Sequence, residues 1–282
     1  MEKSEILQLS KIANNVRQSI IKSVSSAKSG HPGGSLSIAD LLTYLYFHEM
    51  KNIDVNNPKD DARDRLVLSK GHASPALYSI LAEKGFFPKE ELLKLRHLGA
   101  LLQGHPDMKN INGVDMSTGS LGQGISAACG MALAAKVMQK KYRIYAILGD
   151  GELEEGQVWE AAMFASAKKL DNLIAIVDNN NLQIDGEISK VNSPYPIDEK
   201  FAAFGWYVIN LDDAHNFEKL DAAFVKAKSY TGKPVVIIQK SIKGKGVDYM
   251  ENNAAWHGQA PNEELTQSAL EQLKAAAKAL EE

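Results

Sequence analysis

The residues best suited to chemistry cluster between positions 149 and 186. Asp150 stands in Gly149-Asp150-Gly151, directly after an apolar run at 142–148. Asn180 stands in Asp178-Asn179-Asn180-Asn181, directly after a second apolar run at 172–177. Thirty positions separate the two, and a strand–helix–strand unit takes about 30 residues. The spacing therefore places Asp150 and Asn180 side by side at the same end of neighbouring parallel strands. One carboxylate and one amide oxygen suit a hard cation such as Mg²⁺, which keeps few protein ligands and completes its octahedron with phosphate oxygens and water. The backbone carbonyl of Leu182 is the candidate third ligand. The glycines beside Asp150 let a bulky anion approach the backbone, and the helix expected after Gly156 would aim its N-terminus at the same place.

Other readings of this segment fit less well. Its glycines read G-x-G-x-x-x-x-G, one step off the dinucleotide-binding spacing, and Asp150, Glu152, Glu154 and Glu155 would repel a bare diphosphate. A metal between carboxylate and diphosphate resolves that conflict. No G-x-x-x-x-G-K-[ST] run occurs, so an ATPase reading lacks its loop. Taken singly, Gly-Asp-Gly and Asp-Asn-Asn-Asn are ordinary turn chemistry. On the residues alone, the turn reading and the metal–diphosphate reading both stay open.

The histidines add to this. Of the seven, His31, His72, His105 and His257 lie next to glycine, on loops where both backbone and ring can reach a ligand. His48, His97 and His215 fall on helices or polar turns and read as solvated or packed rings. No pair has H-x-x-x-H or H-E-x-x-H spacing, so a zinc hydrolase site has no local support. Imidazoles can instead donate to sugar hydroxyls, carbonyls and phosphates and move protons near pH 7.

The elements that must position these residues alternate. Helical periodicity covers 4–28, then 37–47, 75–84, 125–140, 157–168, 217–230 and a polar, Ala-rich tail at 263–282, read as a solvated terminal helix. Residues 29–34 read as loop. Strand-like runs occur at 65–69, 142–148, 172–177, 206–210 and 234–239. Strands alternating with helices imply an α/β fold, a parallel β-sheet flanked by helices on both faces, with ligands at the C-terminal strand ends. A single domain over residues 1–282 is expected, with no repeat or linker. The 282 residues carry 32 Lys and Arg against 35 Asp and Glu, a net charge of -3, which argues against a nucleic-acid binder. One cysteine, Cys129, excludes an internal disulfide framework. No leader or membrane-length apolar run is seen, so a cytoplasmic protein is expected.

Six segments together carry a family resemblance. They are Ser-Gly-His-Pro-Gly-Gly, Ser-Lys-Gly-His-Ala-Ser-Pro, Gly-His-Pro-Asp, Thr-Gly-Ser-Leu-Gly-Gln-Gly-Ile-Ser, Gly-Asp-Gly-Glu-Leu-Glu-Glu-Gly and Asp-Asn-Asn-Asn-Leu-Gln-Ile-Asp-Gly. In order and spacing, from about residue 10 to residue 260, the chain resembles the N-terminal part of transketolases. The resemblance implies a thiamine diphosphate-binding fold, with Asp150, Asn180 and the Leu182 carbonyl holding Mg²⁺ or Ca²⁺. It implies that Gly151, Asn180 and His72 contact the diphosphate and that Gly119, Ser120 and Leu121 lie near the thiamine. Many members have proline where Ser120 stands, a departure that matters little if the backbone makes the contact. His31, His105 and His257 would face the substrate, with His31 and His257 in proton transfer and His257 also near the diphosphate. Glu155 and Glu160 match acidic positions that couple two cofactor sites across a dimer.

Full-length members of the family are more than twice this long. Their second domain supplies a glutamate that activates the cofactor, and arginines for the sugar phosphate. Here Arg17, Arg63, Arg65, Arg96 and Arg143 form no cluster in sequence. The resemblance therefore implies the N-terminal subunit of a split transketolase of the pentose phosphate pathway, an α2β2 heterotetramer with a separate C-terminal partner. Ketol transfer from xylulose 5-phosphate to ribose 5-phosphate is the expected reaction. A branched or modified sugar phosphate is the alternative substrate. A non-catalytic paralogue is the alternative from another class, though Asp150 and the histidines it could have lost are all present.

Overall fold

The computed structural model describes residues 1–281; Glu282, the end of the expected terminal helix, lies outside them. Apolar runs form strands β1 (Arg65–Leu68), β2 (Ile144–Gly149) and β3 (Leu173–Asn179), followed by a two-residue-per-arm hairpin of β4 (Leu182–Gln183) and β5 (Gly186–Glu187), then β6 (Tyr207–Leu211) and β7 (Val235–Lys240). Five of them make one parallel sheet in the order β1-β2-β3-β7-β6. Successive residues of β2 and β3 point to opposite layers. Tyr145, Ile147, Ile174 and Ile176 enter one core and Ile144, Ala146, Leu148, Leu173, Ala175 and Val177 the other. Both faces are covered, which is why these strands read as unbroken apolar runs.

The helices are α1 (Lys3–Ala27), α2 (Pro32–Leu36), α3 (Ala39–Tyr44), α4 (Ser74–Lys84), α5 (Gln123–Val137), α6 (Gly156–Ala167), α7 (Ile188–Val191), α8 (Ile197–Ala203), α9 (Phe217–Ser229) and α10 (Glu263–Ala279). Helices α1, α3, α4, α9 and α10 bury residues in the first core; α5, α6 and α8 bury theirs in the second. The chain turns to the α8 side after β3 and to the α10 side after β7. Such a divergence between adjacent strands opens a crevice at their C-terminal ends. Among the described residues no helix is long and apolar enough to cross a membrane.

Several elements differ from the sequence expectation. The 29–34 segment is not all loop: α2 starts at Pro32, whose fixed φ suits a first helical position. The helix expected over 37–47 is α3 followed by a π-helical turn, Leu45–Glu49. That turn ends where buried Glu49 accepts bonds from Tyr145 Oη at 2.8 Å and Lys228 Nζ at 2.6 Å. The tail is not a solvated helix. Ala269 and Leu273 of α10 are buried, and Asn14 Nδ2 of α1 donates to Leu273 O at 2.9 Å. The hairpin and the four-residue α7 are too short to show a period, and the i, i+4 pair Ile197 and Phe201 that α8 buries went unread.

Candidate active site

The loops that leave β1, β2, β3 and β7 meet over the crevice. Gly149 faces Asp178 across β2 and β3, so Asp150 emerges level with Asn179 and one residue short of Asn180. Its carboxylate accepts the N–H of Gly151 at 3.0 Å, of Asn180 at 2.8 Å and of Asn181 at 2.6 Å. Asn180 Oδ1 accepts the N–H of Leu182 at 3.1 Å, which fixes the amide and turns the chain into the hairpin. Burial, and then the neighbouring Asp178 charge, raise the Asp150 carboxyl to about 6, against the N–H donors and Lys243. A buried carboxylate disfavoured in its charged form is suited to a bound cation.

Three of the four glycine-flanked histidines converge. The ring centres of His31, His72 and His257 lie 5.2–5.5 Å from one another. Burial lowers all three below the ordinary imidazole range. Arg96 and His105 further lower His31, to about 4; Lys243 and His31 lower His257, to about 3; Lys70 and His257 add to the fall of His72. All three are neutral at pH 7, and His31 Nδ1 is buried without a hydrogen-bond partner. These rings line a cavity of about 270 Å³ together with Gly119, Leu121, Asp150, Gly151, Asn180 and Leu182. His105 and Ser120 do not line it. Both are exposed, although the His105 ring stands where a side chain on Gly119 would go, 3.0 Å away. Loops close in by replacing side chains with glycine: a Cβ on Gly71 would meet Gly119 N at 2.6 Å. The expected helix α6 does begin at Gly156, but none of its residues lines the cavity. A single 3₁₀ turn, Gly151–Glu154, faces the cavity, and α6 starts beyond it. Glu155 and Glu160 are exposed, outside the cavity. His97 is exposed, His48 pairs with Glu5 and His215 with Asp40.

Two lysines escape a reading of the sequence. Lys70, 2% exposed, pairs with fully buried Asp178 at 2.6 Å and donates to Gly34 O at 2.8 Å. Asp178 also accepts from Ser37 Oγ, 2.7 Å away, and from Ser241, so one carboxylate ties together four segments that build the site. Lys243, also 2% exposed, donates to Leu182 O and approaches His257 Nδ1, each at 3.1 Å. Burial and the nearby Lys70 charge lower it to about 8. Lys70 is already neutralised by Asp178, so Lys243 is the buried ammonium lining the cavity that favours an anionic ligand. The available signal was a lysine just past an apolar strand and next to glycine, in Lys70-Gly71 and Lys243-Gly244. Glu152, expected to repel an anion, is occupied. It is buried and accepts from Gly122 N at 2.9 Å, Gly149 N at 3.0 Å and Ser69 Oγ at 2.5 Å. A larger open cleft of about 940 Å³ adjoins the cavity and shares Asn180 and Leu182 with it.

Comparison with known proteins agrees with this geometry. The model of the family described as transketolase, thiamine diphosphate binding domain, matches residues 9–278. The 6-deoxy-6-sulfo-D-fructose transketolase subunit of Clostridium sp. (strain MSTE9) is 48% identical over 93% of this chain and 94% of its own length. An apulose-4-phosphate transketolase subunit of Phocaeicola vulgatus is 40% identical over 98% of this chain and 97% of its own. Mus musculus transketolase is 42% identical, and this chain spans 43% of it. The crystal structure of Campylobacter jejuni transketolase superposes with a TM-score of 0.88 at 35% identity, over 99% of this chain and 46% of that one. The fold is that of a thiamine diphosphate-binding domain. More narrowly, the chain belongs to the transketolase family and corresponds to its thiamine diphosphate-binding part.

Proposed function

We propose that this chain is the cofactor-binding subunit of a two-chain transketolase, assembled as α2β2 in the cytoplasm. With a partner chain that brings the C-terminal half, it transfers a two-carbon ketol unit from a ketose phosphate of the xylulose 5-phosphate type to an aldose phosphate such as ribose 5-phosphate. The observation that carries this reading is one cavity lined by Asp150, Asn180, Leu182 and three neutral imidazoles.

The residues fit the cofactor. A carboxylate, an amide oxygen and a peptide carbonyl are the hard oxygen donors that Mg²⁺ or Ca²⁺ takes. In this reading Asp150, Asn180 and the Leu182 carbonyl hold the cation. Gly151, Asn180, His72, His257 and Lys243 hold the diphosphate, and Gly119, Ser120 and Leu121 lie against the thiamine. When bound, thiamine diphosphate supplies the carbanion that attacks a ketose carbonyl. The chain's own residues bind, orient and move protons. His31 presents its ring to the cavity, where a neutral imidazole accepts a proton from a sugar hydroxyl at pH 7 and returns it. His257 Nδ1 accepts from the Lys243 ammonium, so the ring proton sits on Nε2, where it can be donated to an alkoxide and then recovered. His105 meets the substrate from the rim.

Mixed with its partner, thiamine diphosphate and Mg²⁺, the chain should transfer ketol between these sugars, and alone it should not. No transfer by the mixture, with both chains folded, would overturn the assignment. A second reading keeps the chemistry and changes the sugar. It is favoured by the two relatives that match this chain nearly end to end, one named for 6-deoxy-6-sulfo-D-fructose and the other for apulose 4-phosphate. Assay of the reconstituted pair on those two sugars beside xylulose 5-phosphate separates the readings by kcat/KM.

A further inference from the structure

His215 follows β6, and the cofactor reading leaves it unused. Its side chain is 11% exposed. Nδ1 lies 2.7 Å from Asp40 Oδ2, and Nε2 accepts the backbone N–H of Ile242 at 3.0 Å. A nitrogen that accepts an N–H carries a lone pair, so the ring proton sits on Nδ1 and is donated to Asp40. Asp40 also pairs with the guanidinium of Arg17. Burial pushes the Asp40 carboxyl up, but Arg17 and then His215 outweigh it and hold it at about 2. It is a fixed anion at neutral pH.

Both ends of this network grip one loop. Ile242 is held by His215, and Lys245 O accepts from Arg17 Nε at 3.2 Å. Between them, Gly244 N donates to Gly33 O at 3.0 Å and Asn252 N to Lys243 O at 2.9 Å. The residue so clamped is Lys243, whose ammonium reaches Leu182 O in the cavity. A long side chain binds an anion well only if its backbone is held, since ordering it on binding costs rotamer freedom.

We infer that Arg17, Asp40 and His215 form a clamp that aims Lys243 into the cavity, with His215 a positioning residue for diphosphate binding. The inference rests on the cofactor reading above. It concerns affinity, so His215 should change cofactor binding and spare kcat at saturating cofactor.

The probe is thiamine diphosphate with Mg²⁺, titrated calorimetrically into the reconstituted pair of chains. His215→Ala should weaken binding about tenfold, the scale of a lost orienting group. His215→Gln, which can still accept from Ile242 N–H, should recover most of it. His215→Asn, too short to reach, should not. In a Lys243→Met chain, His215→Ala should add little, because the aimed group is already gone. No binding by the unmutated pair, or unchanged binding by the Lys243→Met pair, would overturn the cofactor reading and the clamp with it. A loss in Lys243→Met with wild-type affinity in His215→Ala, or a lowered melting temperature alone, would overturn only the clamp. So would losses that add fully in the double variant. Should His215→Ala not fold, the contrast between Gln and Asn decides, and the reverse order overturns the clamp.

Discussion

Asp150 carries two duties that its hydrogen bonds make separable. Its oxygens accept the N–H of Gly151 after β2 and those of Asn180 and Asn181, which shape the turn after β3, and they are the only carboxylate in the proposed cation site. Asp150→Asn keeps acceptor oxygen for part of the turn and removes the charge. Mg²⁺-dependent binding of thiamine diphosphate should weaken by about 100-fold or more, since even a residue that only orients a ligand can cost a metal site that much. An unchanged titration would remove Asp150 from the site. The histidines set a pH dependence of stability. His31 and His257 titrate near about 4 and about 3 in the fold, below the ordinary imidazole value of about 6.5, and His72 is lowered too. Between those values the unfolded chain binds more protons than the folded one, so stability rises with pH there. Their contribution is fully present above about pH 6.5 and is lost as the pH falls towards about 4. The melting temperature should drop over that window, and His257→Gln should flatten the drop. An equally steep fall in that variant would show that other groups govern acid unfolding.

The elements were legible where a period or a turn signal was strong, and the site was legible where a residue's type and its place after a strand coincided. The five apolar runs and the long helices declare themselves because both sides of the sheet are covered and each helix has one buried stripe. Asp150 and Asn180 could be paired because βαβ length fixes which strand ends adjoin. Lys70 and Lys243 were missed because a lysine normally reads as solvent-exposed, and only packing reveals that each is buried beside a partner far along the chain. The same holds for Glu152, whose acceptor role depends on three segments meeting. The tail reads as solvated because α10 buries only Ala269 and Leu273 fully on a polar sequence. Leu273→Ala should destabilise the chain by about 2–5 kcal/mol in urea unfolding. A loss within about 0.5 kcal/mol, the range of surface substitutions, would mean that α10 is not anchored there. The contact of Gly71 with Gly119 makes a sharper test. A methyl at Gly71 must push apart the loops bearing His72 and Gly119, and overpacking of this kind costs about 1–3 kcal/mol. Gly71→Ala should therefore lose both stability and cofactor affinity. A variant with full affinity would show that the loops separate without disturbing the site.

The distribution of arginine decides which part of catalysis this chain can own. Arg17 pairs with Asp40 and Arg63 with Asp115. Arg65 lies over the Tyr142 ring, Arg96 bonds Ser29 Oγ and Gly104 O, and Arg143 bonds Lys228 O. Each is committed to the fold, and none lines the cavity that holds the three imidazoles. A terminal phosphate or sulfonate on a sugar is bound best by an arginine fork. In a two-chain enzyme that fork must then come from the partner. Chemistry near the sugar's carbonyl and recognition of its far end would thus reside on different chains. His31→Gln in the reconstituted enzyme should lower kcat/KM by about 100-fold or more, the usual worth of a general acid–base, and by the same factor for every sugar tried. The ranking of xylulose 5-phosphate, 6-deoxy-6-sulfo-D-fructose and apulose 4-phosphate should stay fixed. Exchanging the partner for that of another split transketolase should reorder them while the His31→Gln factor persists. If His31→Gln itself reorders the sugars, selectivity is written in this chain, and the division of labour between the two chains is wrong.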